Sequence, residues 1–177
     1  MLHWPDTIFS YLTEDKILFS NDAFSQHYAS ELMYNDLVDQ AELWDEATKY
    51  YSNIVAPFRR QVINKINEIT KMDIPIDMIC PSHGIMWREN PMQIAEQYLK
   101  WAEGHSEDQI TIIYDTMWNG TRRMAEAIAE GIHAADGKVE VKLYNSARSD
   151  KTGIIAEAFK SKALLVGSPT VNRGALY

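Results

Sequence analysis

From Gln109 to Val166 short apolar runs alternate with amphipathic stretches, and this rhythm restricts the fold more than any other feature of the chain. Residues 109–114 (QITIIY) read as a strand and residues 121–135 as a helix. Residues 139–144 (VEVKLY) alternate as a strand does, and Asp150 stands where a side chain caps a helix running to about Lys160. Residues 163–166 (ALLV) form a continuous apolar run, as buried parallel strands tend to. The resulting β-α-β-α-β order calls for a parallel sheet covered by helices, because parallel neighbours need a crossover between them.

The preceding stretch has a different character. Residues 1 to about 103 are rich in aromatic and charged side chains and read mainly as helices. The polar segment 103–108, with its helix-stopping Gly104, separates the two, so domains are expected over 1–105 and 106–177. In the first, Leu18-Phe19 closes a short strand, a helix is expected over about 23–37, and a longer one over about 40–72. Pro57 interrupts the longer helix by removing a backbone donor. Leu43, Ala47, Tyr50, Tyr51, Ile54, Val55 and Phe58 recur along it at helical spacing, the pattern of a core stripe. Residues 76–80 read as a short, mostly buried strand ending at Pro81-Ser82-His83-Gly84, and Pro91 starts a helix continuing to Ala102.

Composition narrows the function classes. A length of 177 residues allows one domain or two modest or incomplete ones. The net charge of −8 argues against non-specific nucleic-acid binding and suits either a basic partner or plain solubility. No apolar run reaches the ~18 residues of a membrane span. The start, His3-Trp4-Pro5-Asp6, lacks the basic and apolar regions of a signal peptide. The single Cys80 allows no internal disulfide and fits a reducing cytoplasm.

Two loops carry the chemistry of the second stretch. The first, Thr116-Met117-Trp118-Asn119-Gly120-Thr121, joins the first strand to its helix. In a doubly wound sheet this turn aims backbone N–H groups and a helix N-terminus at the crevice beyond the strand ends. Thr116 and Thr121 offer hydroxyl donors to a phosphate, and Asn119 and Gly120 tolerate tight curvature. Alone, the loop equally suits an ordinary strand-to-helix turn capped by Thr. Neither G-x-G-x-x-G nor G-x-x-x-x-G-K-[ST] occurs, which argues against a dinucleotide fold and a nucleoside triphosphatase. The second loop, Gly167-Ser168-Pro169-Thr170-Val171-Asn172-Arg173-Gly174, follows the third strand. Together the two resemble the flavodoxin family. Residues 116–121 resemble its T-x-x-x-x-T phosphate loop; Ser168, Pro169, Thr170 and Asn172 resemble the loop that lines the isoalloxazine ring of FMN.

Of the five histidines, His105 and His133 read as linker and helix-surface residues. His3 and His83 sit in short loops, and Asp22 follows a strand end. Two imidazoles and a carboxylate are ligand types suited to non-haem iron or zinc, although spacing alone allows coincidence. The segments HWPD (3–6), LFSNDAFSQHY (18–28) and PSHG (81–84) resemble the flavodiiron proteins, with the flavorubredoxin-type nitric oxide reductases the strongest likeness. This resemblance covers essentially the whole chain. It implies the C-terminal part of a metallo-β-lactamase-like αββα domain, followed by the first half of a flavodoxin-like doubly wound sheet. It further implies that His3 and His83 are terminal ligands of two irons and that Asp22 bridges them; His27 lies in a matching segment without being expected as a ligand. No catalytic residue beyond these ligands is implied. Electrons would pass from a donor such as rubredoxin to FMN and then to the irons, reducing nitric oxide to nitrous oxide or dioxygen to water. A head-to-tail homodimer, or a homotetramer, would bring one subunit's FMN beside its partner's irons.

The family's H-x-E-x-D-H segment, the last two strands of its flavodoxin half and a C-x-x-C rubredoxin module have no counterpart in the 177 residues. The chain is therefore expected to be an internal fragment, binding FMN poorly, holding little iron and inactive by itself. A plain FMN electron carrier, a zinc hydrolase of the metallo-β-lactamase type and an inactive remnant are the alternatives at this point.

Overall fold

The computed structural model describes residues 7–175. The chain divides into two compact units, one ending at His105 and the other starting at Ser106.

In the first unit, β1 (Ser10–Leu12) pairs antiparallel with β2 (Ile17–Asn21), which pairs parallel with β3 (Met78–Pro81). A chain of α1 (Gln40–Tyr50), a π-helical turn (Tyr51–Val55), a 3-10 turn (Ala56–Phe58) and α2 (Arg59–Lys71) separates β2 from β3, and α3 (Gln93–Ala102) follows. The single long helix expected over 40–72 is thus broken twice. Pro57 offers no N–H to the carbonyl of Asn53, so the regular ladder cannot continue through that turn. Just before it, the Ser52 hydroxyl and the Asn53 amide both donate to the Lys49 carbonyl, at 3.2 and 2.9 Å, loosening the ladder further. Leu43, Ala47, Tyr50, Tyr51 and Val55 are buried, as the helical stripe requires. Tyr51, Tyr98 and Trp101 form an aromatic core with centroid separations of 4.8 to 5.7 Å, and Phe24 packs edge-on to Tyr98 at 4.9 Å. Such pairs each add about 0.5–1.5 kcal/mol beyond burial.

Residues 23–37 form no helix. The segment is tied down by buried side-chain amides instead. Asn35, almost fully buried, accepts from the backbone N–H groups of Arg88 and Glu89 and donates to the Glu89 carbonyl at 2.9 Å. Gln26, fully buried, binds the backbone of Phe24 and Ile85. These bonds satisfy backbone groups across the fold that a local helix would have left unpaired, so tertiary contacts override helical spacing. The helix expected from Pro91 starts two residues later, at Gln93.

The second unit has the sheet order β5-β4-β6, all parallel, from β4 (Glu107–Tyr114), β5 (Glu140–Asn145) and β6 (Ser161–Gly167). Helix α4 (Gly120–Ala135) covers the face carrying Ile112 and Tyr114, with Ala125 in the core between them. The opposite face meets α5 (Lys151–Lys160), where Gln109 donates to the Glu157 carbonyl at 3.1 Å and Thr111 exchanges a 2.8 Å bond with Ser161. Helices on both faces of a parallel sheet make this a doubly wound α/β arrangement. Asp150 caps α5, accepting from the Gly153 N–H at 2.7 Å. The burial expected for 163–166 does not occur. β6 pairs on one side only, and Leu164 and Val166 are 51 % and 73 % exposed. A hairpin of β7 (Thr170–Val171) and β8 (Gly174–Ala175) follows, turning through Asn172 and Arg173, both left-handed.

Replacing Asp150 with Ala is expected to cost about 1 kcal/mol, read by thermal unfolding, because the cap bond is lost while the helix sequence is unchanged. Val166→Lys is expected to leave the far-ultraviolet spectrum intact and to lower concentration-dependent association in light scattering, since it places a charge on an apolar edge strand.

Candidate functional site

In the first unit the candidate residues emerge from adjacent parallel strands. β2 and β3 run side by side, with Asn21 in register with Pro81, so both chains leave the sheet at the same end. The Ser82 N–H donates to the Asn21 carbonyl at 2.8 Å, holding the two exits together. Asp22 follows β2 directly, and His83 lies just beyond β3. His83 Nε2 stands 3.8 Å from Asp22 Oδ1, too far for a hydrogen bond. His83 Nδ1 lies 3.1 Å from the Gln26 carbonyl oxygen. A carbonyl only accepts, so Nδ1 is the donor and in a neutral ring Nε2 carries the lone pair. Two electron-pair donors therefore face each other across 3.8 Å. That arrangement suits a cation bonded to both, because metal–nitrogen and metal–oxygen bonds of about 2.1 Å each can span it.

Around this pair stand His27, which was not expected as a ligand, and Tyr50, which was expected only as part of a core stripe. His27 stacks on His83 at 5.3 Å between centroids, and Tyr50 meets both rings edge-on at 5.1 and 5.4 Å. Burial, and secondarily the charge of Asp22, pushes the Tyr50 phenol up to about 12. Phe24 is held left-handed, with φ of 69°, and Gly84 with φ of 82°. A Cβ on Gly84 would lie 2.3 Å from Gln26 Oε1, so only glycine lets the His83 loop pass this close. The Gly of PSHG was a visible signal for that turn; nothing in the sequence marks Gln26. His3 lies outside the described residues. Among the described residues, no group of three or more His, Cys, Asp or Glu side chains is arranged to hold a metal ion. Asp22 and His83 thus fit a cation as a partial donor set, short of the four or more ligands such ions take.

In the second unit the loop 116–121 and the start of 167–174 also leave adjacent parallel strands, with Tyr114 in register with Gly167. The Asp115 N–H donates to the Gly167 carbonyl at 3.0 Å, and the Thr116 N–H donates to Asp115 Oδ1 at 2.7 Å. A Cβ on Gly167 would approach Thr121 Cγ2 to 3.0 Å, so the two loops pack closely where they begin. Asn119 takes the left-handed conformation with φ of 61° and starts α4 without a side-chain cap. The first N–H groups of α4 thus lack a cap from their own chain, as an anion site requires. The Thr116 hydroxyl is buried and has no hydrogen-bond partner. Met117 and Trp118 project outward, Trp118 being 89 % exposed. Ser168 donates to the Pro169 carbonyl at 3.0 Å, while Thr170 and Asn172 belong to the β7–β8 hairpin. Asp115, which fastens both loops, was not expected from the sequence, and Gly167 was expected only as the start of the second loop. An orphaned donor beside uncapped amides fits an anionic group.

A buried hydroxyl left unpaired costs about 1–3 kcal/mol. Thr116→Val, which keeps the shape and removes the hydroxyl, is therefore expected to leave the ligand-free melting temperature unchanged or raise it; a clear fall would contradict the orphaned donor.

Comparison with known proteins agrees with this layout. The flavodoxin family matches residues 112–177. Over 172 residues the chain is 57 % identical to the anaerobic nitric oxide reductase flavorubredoxin of Vibrio vulnificus (strain YJ016), covering 97 % of this chain and 35 % of that protein. The same-named protein of Escherichia coli O1:K1 is 56 % identical over 97 % of this chain and 36 % of its own. The chain thus spans about a third of the length of these curated relatives. Among solved structures, rubredoxin oxygen:oxidoreductase from Desulfovibrio gigas matches with a TM-score of 0.94 and 33 % identity, over 99 % of this chain and 44 % of that one. The flavodiiron protein from Giardia intestinalis matches with a TM-score of 0.90 and 34 % identity, over 99 % and 42 %. Near-complete coverage of this chain by proteins of one kind, in sequence and in fold, leaves a single assignment: the chain belongs to the flavodiiron protein family.

Proposed function

We propose that this chain supplies FMN-binding loops and part of a non-haem diiron site to a reductase that converts nitric oxide to nitrous oxide. The observation that carries the reading is the facing pair of His83 Nε2 and Asp22 Oδ1, 3.8 Å apart with the other ring nitrogen already committed. Asp22 and His83 would hold iron, with His3 as a further ligand in a partial metallo-β-lactamase-like domain over 1–105. The loop 116–121 would hold the FMN phosphate through Thr116, Thr121 and the backbone from Met117 to Gly120. Ser168, Pro169, Thr170 and Asn172 would line the flavin ring in a partial flavodoxin-like domain over 106–177.

FMN held by the loops 116–121 and 168–172 would supply electrons singly or in pairs, and iron held by Asp22, His83 and His3 would accept them. The overall change would be two nitric oxide molecules, two electrons and two protons to one nitrous oxide and one water. The chain's own part is positional. Asp22 and His83 present oxygen and nitrogen lone pairs toward one point, and the Tyr50 ring packs edge-on against His83. Thr116 keeps a donor ready for an anion that would satisfy it. A rubredoxin-type donor, suggested by the relatives' names, a homodimer or homotetramer, implied by the family resemblance, and a reducing cytoplasm, which the single Cys80 suits, complete the proposal. Dioxygen reduction to water is the second reading, favoured by the name of the Desulfovibrio gigas relative.

The test is a chimera in which this chain replaces the matching segment of the Vibrio vulnificus relative. It is expected to bind iron and FMN and to consume nitric oxide, with Asp22→Ala and His83→Ala each losing most of the iron. Retention of full iron by both variants would refute the ligand assignment. In the same chimera Thr116→Val is expected to weaken FMN about tenfold, by loss of one hydrogen bond to a charged group, read by flavin fluorescence.

A further inference from the structure

Gln26 is fully buried, and its carboxamide joins the segment after β2 to the segment after β3. Oε1 accepts from the Ile85 N–H at 2.7 Å, while Nε2 donates to the Phe24 carbonyl at 3.0 Å and the Ile85 carbonyl at 3.3 Å. No other side chain type of this length offers both an acceptor and two donors without charge. The main-chain carbonyl of the same residue receives the His83 Nδ1–H at 3.1 Å. Gly84 lies against both groups, so close that a Cβ there would reach 2.5 Å from the Gln26 carbonyl oxygen and 2.3 Å from Oε1. The Phe24 carbonyl also accepts from Trp87 Nε1 at 3.0 Å, which fixes the far end of the clasp in the core.

One of these bonds reaches the His83 ring, and the others hold the two loops that carry it. The carboxamide sets the depth of the loop 82–85 against the loop 22–27. The carbonyl then chooses which ring nitrogen holds the proton. An unconstrained neutral imidazole favours Nε2–H, which would point a proton, not a lone pair, at Asp22; the hydrogen bond at Nδ1 reverses that preference.

We propose that Gln26 is a positioning residue that holds His83 as its Nδ1–H tautomer, so that Nε2 is offered as an electron-pair donor toward Asp22. The role rests on the reading of Asp22 and His83 as metal ligands, and its test separates the two. Long-range proton–nitrogen correlation of the imidazoles, on the metal-free chain at mildly alkaline pH, reads the tautomer directly. His83 is expected to be protonated on Nδ1. In Gln26→Met, which keeps the length but removes all three carboxamide bonds, the loops 22–27 and 82–85 are expected to part and His83 to shift to mainly Nε2–H, while His133 and the amides outside those loops stay unchanged. Zinc(II), as the probe ion, is expected to perturb Nε2 of His83 in the unaltered chain and to bind about tenfold more weakly in Gln26→Met. A His83 ring protonated on Nε2 in the unaltered chain overturns the proposal, and this holds even if the variant does not fold. An unchanged ring in a folded Gln26→Met also overturns it. A ring protonated on Nδ1 that zinc(II) leaves unperturbed supports the tautomer selection and refutes the ligand reading instead.

Discussion

Parallel pairing between neighbouring strands is the constraint on which both candidate sites depend. Parallel neighbours end at the same edge of a sheet, so the loops that follow them are brought together without any contact of their own. β2 and β3 deliver Asp22 and His83 in this way, and β4 and β6 deliver the loops beginning at Asp115 and Ser168. In each unit one backbone bond locks the exits: Ser82 N–H to Asn21 in the first, Asp115 N–H to Gly167 in the second. The two units share this device although their sheets, each of three strands, differ in strand order and in the antiparallel β1 of the first.

Loops placed by strand ends still need their own geometry. The first unit provides it with buried amides and left-handed residues. Asn35 and Gln26 supply side-chain partners for backbone groups that no strand or helix reaches, and Phe24 and Gly84 absorb the sharp turns. A left-handed Phe is strained by about 1–3 kcal/mol, a cost offset by the burial of its ring against Tyr98 and the two bonds its carbonyl accepts. In the second unit the corresponding strain is smaller, because Asn119 tolerates the left-handed conformation. There the unspent polar capacity lies in the Thr116 hydroxyl and the uncapped start of α4.

How much of this was legible in the sequence follows from the range of the interactions. The βαβ rhythm after Gln109 and the Asp150 cap are local, written within a turn or a strand, and the observed elements match them closely. Pro57 likewise announces the break in the long helix, because its missing N–H is a property of one residue. Residues 23–37 misled because their helical spacing is real, yet Gln26 and Asn35 bond to residues 53 to 59 positions away. No spacing rule reaches that far. The exposure of Leu164 and Val166 was equally non-local: an apolar run says that a strand suits a covered face, while its place at the sheet edge decides whether it has one. Asp22 and His83 became meaningful through resemblance first and geometry second, since two loop residues far apart in sequence carry no periodicity at all.

The ends of β2 and β3 bring Asp22 and His83 together at one candidate point for a cation. Paramagnetic relaxation by manganese(II), titrated into the chain and read at its amides, tests this most directly, because it registers even weak binding. Relaxation is expected to centre on Asp22 and His83 and to vanish in Asp22→Asn. Relaxation centred elsewhere, or unchanged in that variant, would contradict it.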